Sequence, residues 1–162
     1  MRHKKIVDLK TLKEKIFKLR GQGRKIAFTN GCFDILHLGH VVYLRAAKDK
    51  DRILIVGLNS DQSIRKIKGP RRPILSQKAR ALLLASLEYV DFITIFNEET
   101  PLKLIKALNP DILIKGADWK GKDVAGSQVV KASGGQVKYI KYIPGYSTSR
   151  IIEKIIHAYA KK

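Results

Sequence analysis

The amino-acid sequence predicts an α/β fold, a doubly wound, Rossmann-like sheet of five parallel strands sandwiched by helices. Five short apolar runs alternate along the chain with segments of helical periodicity. The runs are rich in isoleucine, leucine and valine and show little polar alternation, which is typical of strands buried on both faces. Strands that alternate with helices pair in parallel through right-handed crossovers, and these crossovers place helices on both faces of the sheet.

The first half of the chain carries signals for four helices and two strands. Apolar residues three or four positions apart give the first helix one apolar face, and Gly21 and Gly23 favour its termination. Asp61 is suited to N-cap the third helix, and Ser76 is suited to open the fourth. The predicted elements are a helix over 9–19, a strand over 25–29, a helix over 38–47, a strand over 52–58, and helices over 61–68 and 76–87.

The second half continues the alternation with three strands and three helices. Thr100 and Pro101 are suited to a helix start, because proline is tolerated in the first turn. The predicted elements are a strand over 91–96, a helix ending at 108, a strand over 111–114, a loop over 116–126, a helix over 128–132, a strand over 136–140 and a helix over 148–159. The last helix is expected to bury an apolar stripe made of Ile151, Ile152, Ile155, Ile156 and Tyr159.

Length and composition exclude several classes of protein. With 162 residues, 44% of them hydrophobic, the chain is expected to form a single domain over 1–162 with its own core. No apolar run reaches the length of a transmembrane helix, and no apolar segment follows the basic N-terminus, so we expect a cytoplasmic protein without a membrane span. One cysteine excludes an internal disulfide framework.

The formal net charge of +19 indicates a partner or substrate that is anionic. Nucleic acid is one interpretation, but the lysines are spread over the whole chain, and only 7% of the residues are aromatic. No motif typical of RNA-binding or zinc-finger modules is present. Small phosphorylated molecules are the other interpretation, and composition leaves both open.

The loop after the first predicted strand, residues 29–40, has the parts of a phosphate-binding site. Gly31 and Gly39 allow the backbone to approach a ligand closely. A helix that starts near Leu38 directs free N–H groups and a positive dipole end towards an anion. His37 and His40 lie three residues apart, so that both imidazoles face one side of the first turn and are able to donate to a phosphoryl group.

The histidine pair is open to two further interpretations. Two histidines at this spacing are able to bind a metal, although no third histidine lies nearby in the sequence. They are also able to act as a structural pair at the start of a helix. Neither the Gly-x-Gly-x-x-Gly pattern nor a Walker A loop is present. In doubly wound folds ligands bind at the carboxyl ends of the strands, and this position favours the anion site.

His37-Leu38-Gly39-His40 resembles the His-x-Gly-His signature of the nucleotidyltransferase superfamily, and residues 29–40 are similar to its cytidylyltransferase-like group. Within that group the chain, from about residue 24 to 156, resembles the adenylyltransferase domains of ADP-heptose synthases. The segments that carry this resemblance are Asn59-Ser60-Asp61, Lys66-Ile67-Lys68-Gly69, Arg72-Pro73, Leu113-Ile114-Lys115-Gly116-Ala117-Asp118, Val124-Ala125-Gly126-Ser127 and Gly145-Tyr146-Ser147-Thr148-Ser149.

The resemblance implies transfer of AMP from ATP to a heptose 1-phosphate, which yields ADP-heptose and pyrophosphate for lipopolysaccharide core synthesis. A phosphorylated acceptor is already anionic, so the attack needs positioning and charge neutralisation rather than a strong general base. Mg²⁺ would arrive with ATP, and no side-chain metal ligands are expected. The resemblance also implies a homodimer and no membrane or nucleic-acid partner.

The resemblance further implies roles for individual residues. The catalytic set is His37, His40 and Lys68, in which the histidines hold the triphosphate and stabilise the transferred phosphoryl group. The nucleotide-binding set is Thr29, Asn30, Gly31, Cys32, Phe33, Asp34, Gly39, Gly116, Asp118, Ser147 and Thr148. The substrate-binding set is Lys66, Arg80 and Asn59.

Several of these residues are equally suited to a structural role. Asp34 either orients a basic group, meets Mg²⁺ or simply flanks a helix, and Lys66 and Lys68 are equally compatible with a solvated surface. Ser147 and Thr148 are equally able to cap the last helix without binding phosphate. Trp119, which would lie near the base or ribose, and Cys32 are also compatible with packing roles.

Glycerol-3-phosphate cytidylyltransferase is the competing member of the group. Its sequences place an Arg-Thr pair shortly before the Gly-x-Ser-Thr segment, whereas this chain has Tyr142-Ile143-Pro144-Gly145. ADP-heptose synthases often carry a sugar kinase domain, for which 162 residues leave no room. The expectation is therefore a stand-alone adenylyltransferase that receives its sugar 1-phosphate from separate enzymes. Adenylylation of phosphopantetheine or FMN, and binding of nucleic acid by a non-enzyme, are further candidate functions.

Overall fold

All five predicted strands pair in parallel into one sheet in the computed structural model, which describes residues 3–160. The strands are β1 Lys25–Gly31, β2 Arg52–Asn59, β3 Phe92–Phe96, β4 Ile112–Gly116 and β5 Gln136–Ile140. Their spatial order is β3-β2-β1-β4-β5. Ala27 in the central strand pairs with Leu54 of β2 and with Ile112 of β4. The predicted doubly wound α/β fold is therefore confirmed.

The helices agree with the sequence-based prediction to within a few residues. They are α1 Leu9–Gly21, α2 Leu38–Ala47, α3 Asp61–Lys68, α4 Gln77–Ala85, α5 Leu102–Leu108, α6 Ser127–Ala132 and α7 Thr148–Tyr159, with a short 3-10 turn at Ala117–Trp119. None of the helices in the described range 3–160 combines the length and the apolar character needed to cross a bilayer.

One predicted helix cap is wrong. Ser60, not Asp61, caps α3, because its hydroxyl oxygen accepts a hydrogen bond from the Ser63 backbone N–H at 3.1 Å. The carboxylate of Asp61 is turned instead towards Arg80. At the start of α5 the cap position is Pro101, and no side chain caps that helix end.

Alternate residues of the strands belong to two apolar layers, one on each face of the sheet. On one face Ala27 and Leu54 pack with α2 and α4 through residues such as Leu44 and Leu84. On the other face Phe28 belongs to the layer formed with α1, α5 and α6. This two-sided burial explains why the strands appear in the sequence as continuous apolar runs.

The N-terminal segment adds a short parallel bridge next to β3 that the sequence does not predict. Ile6 bridges to Ile93, the Val7 N–H donates to the Ile93 carbonyl at 3.0 Å, and the Ile93 N–H donates to the Lys5 carbonyl at 2.8 Å. A single bridged residue is too short to produce a periodic pattern.

The expected burial of the apolar stripe on α7 is wrong. Ile155, Ile156 and Tyr159 are 50%, 60% and 82% exposed, and no residue of α7 is buried. Ile151 and Ile152 are half-buried near the start of the helix. The sequence period shows which face of a helix is apolar, but it carries no information about whether another element covers that face.

The strand order reverses between β1 and β4, whose carboxyl ends lie side by side. In open parallel sheets this switch point leaves a crevice, because the loops after the two strands turn to opposite faces. The loops after β1, β2, β4 and β5 contribute residues to the wall of that crevice, as do residues 99–101 after β3.

The buried aromatic side chain of the central strand should dominate the stability of the fold. Phe28 has no exposed surface, so Phe28→Ala is expected to lower the free energy of unfolding by about 3–5 kcal/mol. Phe17→Ala is the matched control, because Phe17 is 82% exposed on α1 and its loss should change stability by less than about 0.5 kcal/mol. Urea denaturation measures both, and equal losses would contradict the assigned core.

Candidate active site

A cleft of about 1000 Å³ lies at the carboxyl ends of β1, β2 and β4. Its wall contains most of the residues singled out from the sequence. Those that line it are Asn30, Gly31, Cys32, Phe33, Asp34, His37, Gly39, His40, Asn59, Lys68, Gly116, Ser147 and Thr148. Those that do not line it are Thr29, Lys66, Arg80 and Asp118.

The loop between β1 and α2 has an unusual backbone that aims its side chains. Phe33 and Ile35 have φ values of 44° and 47°, in the left-handed region that non-glycine residues seldom adopt. Asp34 lies between them and is 1% exposed. Backbone conformations of this kind persist only where surrounding contacts hold them, and they are frequent at functional sites.

The carboxylate of Asp34 supplies those contacts. One oxygen accepts hydrogen bonds from Arg72 Nε and the Ile74 N–H at 2.8 Å each, and the other accepts from the Leu75 N–H at 2.9 Å. Burial alone would raise the pKa of Asp34, but the two backbone donors and the Arg72 guanidinium together lower it. The side chain thus orients a basic group, one of the roles considered from the sequence.

The histidine pair stands at the start of α2. His37 occupies the N-cap position, and its ring stacks on that of His40 with the centroids 3.8 Å apart. A Cβ at Gly39 would lie 3.0 Å from Cε1 of His37, so the absence of a side chain makes room for the ring. The Nδ1 atoms of both histidines are buried and have no hydrogen-bond partner among the described residues. An unpaired buried polar atom is costly, and both residues that carry one here line an open cleft.

Burial keeps both imidazoles neutral. It lowers the pKa of His37, and it lowers the pKa of His40 to about 4, with the neighbouring His37 acting in the same direction and Asp34 opposing it. At neutral pH each ring therefore has one N–H donor and one acceptor nitrogen. The pair is suited to donate hydrogen bonds to an anion without itself carrying a net charge.

The start of α7 is tied to the same loop. The Ser147 hydroxyl oxygen accepts from the Arg150 N–H at 3.2 Å and caps the helix. The Thr148 hydroxyl donates to the backbone carbonyl of Asp34 at 2.7 Å. Tyr146 packs next to Gly39. The free N–H groups at the start of α7 therefore lie beside the cleft, where they favour an anion.

The end of β4 brings a buried lysine into the cleft. Lys115 is 8% exposed, its ammonium donates to Asn30 Oδ1 at 2.5 Å, and its Nζ lies 5.4 Å from the centre of the Trp119 ring. Burial lowers the pKa of Lys115 to about 8, although the nearby carboxylate of Asp118 opposes the shift. A Cβ at Gly116 would lie 2.0 Å from the Tyr142 hydroxyl, so a glycine is needed for the tyrosine to reach the cleft.

Arg80, for which the resemblance implies a substrate contact, lies outside the cleft wall. It is fully buried, and its guanidinium donates to the carbonyls of Leu75 and Cys32 at 3.0 and 2.6 Å and to Asp61 at 2.8 Å. These partners come from three separate segments. The side chain therefore holds the β1 loop in place and does not line the cleft.

Three other predicted residues also lie outside the cleft wall. The Thr29 hydroxyl is buried and hydrogen-bonds the Tyr43 hydroxyl at 2.8 Å, so it supports the wall from behind. Lys66 is exposed on α3, whereas Lys68 of the same helix lines the cleft. Asp118 is exposed beside Trp119, which does line the cleft.

Asn59 and Cys32 line the cleft without a free reactive group. The Asn59 side-chain amide donates to the Ser63 hydroxyl at 2.9 Å. Burial raises the pKa of the Cys32 thiol, although the nearby cations Lys68, Arg80 and Arg72 oppose the shift. A thiol with a raised pKa is a poor nucleophile, which agrees with a packing role.

Sequence reasoning missed Arg72, Lys115 and Tyr142 as residues of the cleft wall. Lys115 had a usable signal, because it is the charged residue at the carboxyl end of an otherwise apolar strand. Arg72 had none, since its position depends on Asp34, 38 residues away.

The described part of the chain does not offer a metal centre of its own. It contains no group of three or more His, Cys, Asp or Glu side chains placed to hold a metal ion. The oxygens of Asp34, the buried carboxylate of the cleft, already accept three hydrogen bonds. The Asp34 carboxylate is therefore occupied by hydrogen bonds from the protein and is not free to bind a metal ion.

Removing the charge of Asp34 should destabilise the β1 loop. Asp34→Asn is expected to cost about 3 kcal/mol of unfolding free energy at pH 7, because it leaves Arg72 without its buried partner. Since the fold lowers the pKa of Asp34, wild-type stability from this group is complete above the ordinary carboxyl pKa of about 3.9 and is lost as the pH falls below it. Glu98→Gln is the control, because Glu98 pairs with Lys103 at an exposed site and should contribute less than about 1 kcal/mol.

The neutral state of His40 can be measured directly. In the free protein its ring should titrate near pH 4 by NMR, with the resonance assigned from its absence in His40→Gln. Because the unfolded chain takes up the proton first, stability should fall as the pH drops from about 6.5 towards 4. Pyrophosphate should raise the pKa of His40. Titration of His40 at its ordinary pKa in the free protein would contradict the buried, unpaired geometry.

Comparison with known proteins shows that the chain is similar to proteins of one family. Residues 28–154 match the cytidylyltransferase-like family. The chain is 55% identical over 153 residues to the bifunctional protein HldE of Helicobacter pylori strain J99. The aligned region covers 94% of this chain and 32% of that protein. It is 57% identical over 136 residues to the bifunctional protein HldE of Wolinella succinogenes, covering 84% and 28%, respectively. The chain thus spans about a third of the length of the curated relatives it matches.

A solved structure agrees with this match. The crystal structure of the lipopolysaccharide core biosynthesis protein from Thermoplasma volcanium GSS1 superposes with a TM-score of 0.60 and 28% sequence identity. It covers 74% of this chain and 96% of that chain. Because the family match spans residues 28–154 and includes the loop of the histidine pair, this chain belongs to the cytidylyltransferase-like family.

Proposed function

We propose that this chain is a nucleotidyltransferase domain that transfers AMP from ATP to D-glycero-β-D-manno-heptose 1-phosphate, releasing pyrophosphate and ADP-heptose for lipopolysaccharide core synthesis. The observation that carries the proposal is the stacked pair His37 and His40, whose buried Nδ1 atoms have no partner in the described structure. Both rings line a cleft that also receives the starts of α2 and α7. Such a site has donors for several phosphoryl oxygens at once.

The similarity to the HldE proteins supports the choice of substrates. High identity over more than 90% of this chain joins it to relatives that are named bifunctional, while this chain spans about a third of each. That share agrees with one of two functional parts. The similar solved structure is that of a lipopolysaccharide core biosynthesis protein, which agrees with the proposed product.

The reaction proposed for the cleft is an in-line displacement at the α-phosphorus of ATP. An oxygen of the acceptor phosphate forms a bond to the α-phosphorus while the bond to the bridging oxygen of the β-phosphate breaks, and pyrophosphate leaves with the electron pair. The acceptor oxygen is already deprotonated, so no general base is required. Catalysis then depends on positioning and on stabilisation of charge on the phosphoryl oxygens.

Roles for individual residues follow from their positions. The N–H groups of the two neutral imidazoles donate to the transferred phosphoryl group and to the leaving pyrophosphate. The hydroxyls and backbone N–H groups at Ser147 and Thr148 lie at the start of α7, beside the same anion. Lys68 is exposed at the end of α3 on the cleft wall and adds a mobile positive charge.

ATP would enter as its Mg²⁺ complex, so that the metal belongs to the substrate. The three hydrogen bonds that the buried Asp34 carboxylate already accepts from the protein support this assignment. The chain's own contribution is to hold the triphosphate. We further propose that the enzyme acts in the cytoplasm and assembles as a homodimer.

A screen for pyrophosphate release tests the substrates. ATP and CTP are each combined with heptose 1-phosphate, glycerol 3-phosphate and phosphopantetheine. We expect turnover with ATP and heptose 1-phosphate to exceed every other pair by at least about 100-fold, since sites that hydrogen-bond a specific substrate reject analogues strongly. Higher turnover with CTP and glycerol 3-phosphate would assign the chain to the competing cytidylyltransferase activity. Binding of RNA at about 150 mM salt without any turnover would favour a nucleic-acid-binding role.

Removing either ring of the histidine pair should reduce turnover and leave the fold intact. His37→Ala or His40→Ala is expected to lower kcat by about 10²–10³-fold, the usual loss for one charge-stabilising donor in a transition state. The control is His157→Ala, which removes an exposed imidazole of α7 that lies outside the cleft wall. Circular dichroism checks the fold. Turnover within a few-fold of wild type in both cleft variants would refute the role given to the pair.

A further inference from the structure

Three cationic side chains lie in or under the cleft and are largely withdrawn from water. Arg72 and Arg80 each have a carboxylate at 2.8 Å, from Asp34 and Asp61, respectively. Lys115 is different, since no carboxylate oxygen in the described structure lies within 4.0 Å of its ammonium. A buried charge without an opposite charge beside it is costly, so its retention requires an explanation.

The described part of the protein provides an acceptor for only one of the three N–H donors of the Lys115 ammonium. Of its three N–H donors, one is directed to Asn30 Oδ1 at 2.5 Å, and the ring of Trp119 lies 5.4 Å away. The residue is 8% exposed and lines the cleft. Its remaining donors have no acceptor in the described structure. The carboxylate that raises the pKa of Lys115 belongs to Asp118, which is exposed and lies outside the cleft wall.

The charge state of Lys115 suits an anion at neutral pH. Burial lowers its pKa to about 8, so that most molecules carry the ammonium at pH 7. A phosphoryl oxygen that enters the cleft would supply both the missing acceptor and the missing negative charge. In a largely buried site, a charge-assisted hydrogen bond of this kind is strong.

We propose that Lys115 is a substrate-binding residue whose ammonium donates to a phosphoryl oxygen at the carboxyl end of β4. The proposal rests on the proposed function for the identity of the substrates, which offer two sources of this chemistry: the triphosphate of ATP and the phosphate monoester of the acceptor. Lys115 thereby adds a cationic contact at the end of β4 to the neutral donors at the starts of α2 and α7.

The fluorescence of Trp119 provides a local probe, because it is the chain's one tryptophan and lies beside the ammonium. Wild-type protein and Lys115→Met are titrated with ATP, adenosine, heptose 1-phosphate and heptose. We expect Lys115→Met to weaken binding of one phosphorylated ligand by at least about tenfold, as loss of a charged hydrogen bond does, and to leave its unphosphorylated counterpart unchanged. The ligand that is weakened identifies the source of the phosphate.

Lys122→Met is the matched control, because it removes the same charge from an exposed position outside the cleft wall. It should leave all four affinities unchanged. If Lys115→Met binds every phosphorylated ligand as the wild type does, the proposal is overturned. It is also overturned if adenosine and heptose are weakened as much as their phosphorylated forms, since that pattern indicates that Lys115 only holds Asn30 in place.

A second measurement uses the unsubstituted protein in case Lys115→Met does not fold, which thermal denaturation would reveal. Reductive methylation followed by mass spectrometry reports the reactivity of each lysine. ATP or heptose 1-phosphate should protect Lys115 and leave Lys122 reactive, and protection by neither ligand overturns the proposal. Protection by ATP without turnover of heptose 1-phosphate would retain this proposal and refute the proposed acceptor.

Discussion

The hydrogen bonds of the buried Asp34 carboxylate are the constraint on which the cleft depends. They join the loop after β1 to Arg72 and to two backbone N–H groups, and the carbonyl of the same residue accepts from Thr148 at the start of α7. Two distant segments, residues 72–75 and the start of α7, are thereby held around Asp34, whose neighbours Phe33 and Ile35 have unfavourable positive φ values. The stacked imidazoles follow a few residues later, so their position is set before any ligand arrives, as the proposed phosphoryl transfer requires.

The charge that attracts anions to the protein and the groups proposed to bind them in the cleft are different. The chain carries a net charge of +19, which favours the approach of anionic molecules from solution. The imidazoles that face the cleft are nevertheless neutral at physiological pH, because burial disfavours their charged forms. Neutral donors need no counter-charge in the free protein, whereas buried cations do. Arg72 and Arg80 have their carboxylates within the fold, and Lys115 is left to a ligand.

Sequence reasoning succeeded where a pattern is local and failed where it depends on a distant partner. The strands were predictable because burial on both faces leaves continuous apolar runs, and the histidine pair because it opens the first helix after the central strand. The ion pair of Arg80 with Asp61 was not predicted, because a helical arginine has the same local pattern whether it contacts a ligand or a carboxylate. The apolar face of α7 was identified from the sequence, but its exposure to solvent was not predicted. The helical periodicity of apolar residues does not reveal whether another element covers that face.

The sequence by itself determined the order of the elements, the parallel sheet and the strand end at which ligands bind, because these follow from apolar periodicity and from the handedness of crossovers. Only the tertiary structure decided which charged groups are paired and which are available. The contacts responsible join residues far apart in the chain, Asp34 with Arg72 across 38 positions and Asn30 with Lys115 across 85. Packing brings these side chains together in a medium of low dielectric constant, where charges interact strongly. A buried side chain with an opposite charge beside it is therefore structural, whereas one without such a partner is available to a ligand.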